Sequence, residues 1–144
     1  MRIRSFRDLD AWTAAMDLTC AAYDIAEGLP PTERFELASQ IRRAAVSIPS
    51  NIAEGHACGL RNRYRNHVRI AAGSLGELAT QVEIAKRQGY IDVETATAIE
   101  AQFARTGQLL HGILRSLRLQ AARTGAAGAL ALIVVLAALE RLVS

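Results

Sequence analysis

The chain holds little of what a β-protein, a disulfide scaffold or a hydrolase needs. With three prolines, three phenylalanines, three tyrosines and one tryptophan in 144 residues, β-branched and aromatic runs between turn residues are scarce, which speaks against strands. Two cysteines, Cys20 and Cys58, are too few for a disulfide framework, and no signal peptide opens the sequence. A reducing cytoplasm is the expected compartment. Catalytic signatures are missing as well: there is no phosphate loop, nucleophile elbow or HExxH helix. His56, His67 and His111 fall in unrelated places, and His56-Ala57-Cys58 lacks a second pair at metal-ligand spacing. That tripeptide reads as a surface histidine beside a buried thiol. No enzyme activity, catalytic residue, metal ligand or cofactor is expected.

What is present is helical. The 51% apolar content is led by Ala, Leu and Ile, and the length suits one domain with its own core. A first helix is expected from near Ser5, with Asp8 in capping-box position and a stripe of Phe6, Leu9, Trp12, Met16, Tyr23 and Ala26 that skips a turn at Thr19 and Cys20. Gly28, then Pro30 and Pro31, stop it. Thr32 can cap a second helix with the stripe Leu37, Ile41, Ala45, Ile48 and Ile52, ending by Gly59. Asn62 can cap a third, which buries Val68, Ala72, Leu75, Leu78 or Ala79, and Val82, and which Gly89 closes. Asp92 caps a fourth, with Ile99, Phe103, Leu110, Ile113, Leu114 and Leu117. Short links make sequential helices antiparallel neighbours. The expected fold is therefore all-α, an up-down-up-down four-helix bundle over residues 1–120.

The second helix contains Ser-Ile-Pro-Ser-Asn-Ile-Ala-Glu-Gly at 47–55, and an internal proline costs a helix roughly 3 kcal/mol. Pro49 cannot donate to the carbonyl of Ala45, so another group must. Ser47, Ser50, Asn51 and Glu54 are the candidates, and Ser47, Asn51 and Glu54 share a face. The favoured reading is a structural kink built by Ser47, Pro49, Asn51 and Glu54; the other is a small polar binding site. Gly73-Ser74-Leu75-Gly76 lies mid-helix, where small residues permit close helix approach.

Charge and hydropathy point to partners. Residues 1–36 hold four arginines against seven acids, whereas no acid lies between Glu54 and Glu77, where Arg61, Arg63, Arg65 and Arg69 crowd together. Sixteen of the seventeen basic residues are arginine, which suits phosphate forks and interface ion pairs. Arg61, Arg65 and Arg69 line one face of a helix opening, where like charges repel and cations meet the wrong end of the macrodipole. Three readings are open: RNA phosphates, the acid-rich first helix of a neighbouring subunit, or a simply solvated face, with the last two together preferred over RNA.

After Gln120 the chain changes. Residues 121–128 read as a small-residue linker, and 129–144 as an apolar helix with Leu130, Leu132, Ile133, Val135, Leu136, Leu139 and Leu142 as its interface residues. The fifteen uncharged residues from Gly125 to Leu139 would span about 22 Å as a helix, short of the roughly 30 Å of a bilayer core. A membrane anchor is therefore disfavoured. Folding back as a fifth helix on the bundle and contact with other chains remain, the second preferred.

Several segments together resemble a known family, the bacterial four-helix bundle proteins first noticed as reading frames in intervening sequences of 23S ribosomal RNA genes. They are Phe6-Arg7-Asp8-Leu9-Asp10-Ala11-Trp12, Gln40 through Gly55, Ala72-Gly73-Ser74-Leu75-Gly76-Glu77-Leu78, and Gly89-Tyr90-Ile91. The resemblance covers residues 1 to about 120 and implies a homopentamer of antiparallel bundles around a central channel, without a catalytic activity. Its relatives include the pentameric accessory protein of diversity-generating retroelements. That likeness raises an RNA-binding role for Arg42, Arg43, Arg61, Arg63, Arg65 and Arg69. The tail departs from the family pattern. A pentamer carrying it is suited to a second protein component, as in a bundle re-engineered as a building block of a larger assembly.

Overall fold

The structure, a computed structural model, describes the backbone of residues 4–143 and the side chains of 4–127 and 129. Four α-helices account for most of it: α1 Asp10–Gly28, α2 Leu37–Ala57, α3 Arg61–Arg87 and α4 Val93–Val143. No strand occurs among the described residues. Helix α1 packs on α2 and α4, and α3 packs on the same two, while among the described residues no Cα of α1 comes within 8 Å of one in α3, nor one of α2 within 8 Å of one in α4. Each helix thus has two neighbours and one diagonal opposite.

The capping box at Ser5 forms: Ser5 Oγ accepts from Arg7 N and the Asp8 carboxylate accepts from Ser5 N. It caps only a 3₁₀ turn, Phe6–Asp8, because Leu9 is extended (φ −87°, ψ 121°) and α1 begins at Asp10, later than expected. The α1 core face also differs from the expected stripe. Of that stripe Ala26 is buried, Phe6, Leu9, Trp12 and Met16 are half-buried and Tyr23 is exposed, while Ala11, Ala15, Leu18, Ala22 and Ile25 are buried in their place. Alanines let helices approach closely, so the bulky side chains are displaced to the flanks of the contact.

Helix α2 starts at Leu37, past Thr32, and its amide there is 3.3 Å from the Glu33 carboxylate rather than capped by Thr32. Ile41, Ala45, Ile48 and Ile52 are fully buried as expected. Asn62 does not cap α3, which already begins at Arg61 after an extended Leu60. At its far end Gly89 takes φ +73°, Gly89 N donates to Lys86 O and Tyr90 N to Ala85 O, a Schellman closure that a Cβ would strain. Asp92 caps α4 by accepting from Thr95 N at 2.7 Å.

The expected linker at 121–128 is not a break: α4 stays helical through it to Val143. Gly125 and Gly128 cost about 1 kcal/mol each relative to alanine, but the alanines, Arg123 and Gln120 around them are strong helix formers. Thr124 returns its hydroxyl to the carbonyls of Gln120 and Ala121 (3.1 and 3.0 Å) and stays within the helix. The helix bounds of α4 are Val93–Val143.

Candidate functional site

The polar segment of α2 forms a hydrogen-bond ladder to α3. His67 Nδ1 donates to Asn51 Oδ1 (3.0 Å), and Asn51 Nδ2 donates to the Ser47 carbonyl (2.9 Å) and hydroxyl (3.2 Å). The Ser47 hydroxyl in turn meets that of Ser74 at 2.8 Å. Glu54 approaches His67 Nδ1 at 3.7 Å, with its carboxylate largely in solvent. One turn on, Gly55 lies so close to α3 that a Cβ would stand 2.7 Å from His67 Cβ and 2.8 Å from Tyr64 Cδ2. The His67–Asn51 and Ser74–Ser47 bonds join α3 to α2, and the Asn51–Ser47 bonds tie those two rungs together within α2.

None of these groups serves Ala45. The oxygen that Pro49 leaves without a helical donor accepts from Thr19 Oγ1 of α1, 3.0 Å away and buried. The expectation that Ser47, Ser50, Asn51 or Glu54 would do this is corrected: their side chains lie on the α3 side or outside, whereas Ala45 faces α1. Sequence reading also missed His67 and Ser74. The signal for Thr19 was its place in the skipped turn of the α1 stripe, where a polar residue interrupts an apolar face.

Gly73 and Gly76, expected at a close contact, have nothing within 4 Å of an added Cβ. They leave bare helix surface, and only Ser74 between them is buried. The tripeptide at 56–58 is likewise reversed. Cys58 is exposed, whereas His56 is half-buried with its ring edge-on to Tyr64 at 6.1 Å. Burial pushes the Tyr64 phenol above its ordinary value.

The six arginines divide. Arg42 is half-buried, bonds Glu27 of α1 at 3.1 Å and lies over the Tyr23 ring at 5.8 Å, so it is engaged within the chain. Arg43 is exposed on α2. Arg63 lines a groove with Cys58, Asn62, Asn66 and His67. Arg61, Arg65 and Arg69 follow one another at four-residue steps along the opposite side of α3, and Arg61 reaches Thr124 of α4 at 3.4 Å. Among the described residues none of these three forms an ion pair.

Acids gather elsewhere. Asp10, Asp17 and Asp24 stand seven residues apart on α1, all exposed, and none forms an ion pair among the described residues. Asp24 borders a cleft of about 620 Å³ between the end of α1 and the start of α4, rimmed also by Asp92 and Glu94 and floored by Ile25, Ile91 and Ile99. Beside it Tyr90 Oη donates to Glu33 at 3.1 Å, and that bond to a carboxylate raises the phenol. Among the described residues no three His, Cys, Asp or Glu side chains gather as a metal site, and no helix is long and apolar enough to cross a membrane. The side chains of Leu130, Leu132, Ile133, Val135, Leu136, Leu139 and Leu142 lie outside the described residues. The part of α4 leading to them, Arg118–Ala127, is exposed throughout.

Residues 7–112 match the sequence model of the family described as 23S rRNA-intervening sequence protein. No curated protein matches the chain. Among solved structures it is similar to a protein of unknown function from the S23 ribosomal protein family of Bacteroides thetaiotaomicron VPI-5482. The identity is 23% and the TM-score 0.67, over 72% of this chain and 97% of that one. At that identity the likeness concerns the fold.

Proposed function

The chain belongs to the 23S rRNA-intervening sequence protein family, and from that premise we propose that it is a non-enzymatic assembly protein. In this reading it is a homopentamer of antiparallel up-down-up-down bundles, each bent at Pro49, whose apolar tail contacts other chains, a second protein component included. The carrying observation is the length of α4, 51 residues against 27 in α3, with every described residue from Arg118 to Ala127 exposed. The sequence beyond it, 129–139, is apolar on every side, and an apolar helix needs a cover. Val46 on α2 and Ile70 and Ile84 on α3 add apolar surface, exposed by 41%, 45% and 44%.

Native mass measurement tests this reading. The full chain is expected as a pentamer or a multiple of it, and a chain ending at Gln120 as the bare pentamer. A monomeric truncated chain refutes the pentamer. A particle with the same number of chains with and without residues 121–144 refutes the assembly role of the tail.

A second reading, an RNA-binding accessory protein, is favoured by one observation. The two longest acid-free stretches of the sequence, between Glu54 and Glu77 and between Glu100 and Glu140, meet where Arg61 touches Thr124. Arg61, Arg63, Arg65 and Arg69 would then neutralise phosphates, and the acid-free part of α4 adds Arg115, Arg118 and Arg123. Binding should weaken steeply with salt, by a log–log slope of about 0.7 per phosphate contact for a single strand. Absence of binding at low salt removes this reading.

A further inference from the structure

Two charged stripes that form no ion pair among the described residues lie on opposite corners of the bundle. On α3, Arg61, Arg65 and Arg69 span eight residues, about 12 Å along the helix axis. On α1, Asp10 and Asp17 span seven, about 10.5 Å. Among the described residues no Cα of α1 comes within 8 Å of one in α3, so one chain cannot bring its own stripes together. Both stripes nevertheless occupy the same end of the bundle. Along α1, Thr19 and then Glu27 meet Ala45 and then Arg42 of α2, so α1 begins beside the later part of α2, and α3 opens four residues after α2 ends. The surfaces between the charges are shallow: Thr13 and Cys20 flank Asp17 on α1, and Ala72, Gly73 and Gly76 follow Arg69 on α3.

We infer that the Asp10–Asp17 edge of α1 in one copy docks against the Arg61–Arg65–Arg69 stripe of α3 in the next copy. The inference rests on the homo-oligomer reading and names its contact. The stripes are opposite in sign and match in length and in height along the bundle. Their diagonal placement makes the contact heterologous, with one face of each copy meeting a different face of its neighbour. Repeated by rotation, such a contact closes a ring. It also accounts for arginines that repel one another at four-residue spacing and sit at the unfavourable end of a helix, since the neighbouring α1 supplies the missing acids.

The test is charge reversal and exchange in the full chain, read by native mass and circular dichroism. Arg65→Glu with Arg69→Glu, and separately Asp10→Arg with Asp17→Arg, should each keep the helical spectrum and fall to the single-chain mass of 15.6 kDa. The four-substitution chain, with the charges exchanged, should regain the oligomer mass. An oligomer that survives both reversals overturns this contact while leaving the homo-oligomer reading intact, whereas a monomeric unsubstituted chain refutes that reading itself. If Arg65→Glu with Arg69→Glu abolishes low-salt binding of a single-stranded RNA 20-mer while the oligomer persists, the stripe faces nucleic acid and the contact is likewise overturned.

Discussion

Thr19 on α1 donates its hydroxyl to the carbonyl of Ala45 on α2, 3.0 Å away, the oxygen that Pro49 cannot serve. The same hydroxyl lies 2.7 Å from its own Ala15 carbonyl, so one proton is shared between two buried acceptors. Thr19→Val keeps the shape and removes the proton. Leaving a buried carbonyl unpaired costs about 1–3 kcal/mol, and urea unfolding followed by circular dichroism should show a loss of that size. Pro49→Ala returns a backbone N–H within reach of Ala45. In that background Thr19→Val should cost clearly less, and equal costs in the two backgrounds would refute the link.

Gly55 and Gly76 predict opposite outcomes for one substitution. Gly55→Ala must push a Cβ into His67 and Tyr64 at 2.7–2.8 Å, and overpacking of this kind costs about 1–3 kcal/mol. Gly76→Ala meets nothing within 4 Å and replaces the poorer helix former, so it should stabilise by about 0.5–1 kcal/mol. Melting temperatures of the two variants at equal chain concentration distinguish them. A stabilised Gly55→Ala chain would show that α2 and α3 do not approach as described.

Periodicity made the four helices and most of the α2 and α4 core legible, because Ile41, Ile48, Ile52, Ile99 and Leu110 are large and spaced for one face. It failed on α1. There Ala11, Ala15 and Ala22 form the contact while the larger Trp12, Met16 and Tyr23 stand aside, and hydrophobic size does not reveal which face an alanine serves. The Ser47–Asn51–His67–Ser74 ladder was half legible. The α2 members share a turn, but their α3 partners lie up to 27 residues away, and only folding brings them opposite. Helix ends misled for a related reason: Ser5 and Thr32 carry capping chemistry, yet the backbone at Leu9 and Glu36 leaves helical geometry before α1 and α2 begin.

Asp92 gives the α4 cap a pH dependence. Its carboxylate accepts from the Thr95 backbone amide, and that bond holds its pKa below the ordinary value of 3.8. A lowered folded-state pKa means the stabilisation is complete above the unfolded value and is lost as pH falls through the folded one. Asp92→Asn keeps a capping oxygen without the titration. The unsubstituted chain should melt higher than Asp92→Asn at pH 7, and its advantage should shrink only once the pH drops below about 3.8. A difference unchanged from pH 7 to pH 2 would remove the carboxylate from the cap.

The Ser47–Ser74 hydroxyl pair predicts non-additivity between α2 and α3. At 2.8 Å each hydroxyl satisfies the other in a part-buried setting, and Ser74 is 9% exposed. Ser47→Ala leaves Ser74 without its partner, and Ser74→Ala deprives Ser47 of the same bond, so each should cost about 0.5–1.5 kcal/mol. Removing both leaves two methyl groups facing one another, with Asn51 Nδ2 still donating to the Ser47 carbonyl. The double variant should therefore be less destabilised than the sum of the singles, by at least about 0.5 kcal/mol in a double-mutant cycle from urea unfolding. Additive costs would mean that the hydroxyls act through other groups. The ladder would then begin at Asn51 and His67, and Ser74 would be buried for its size alone.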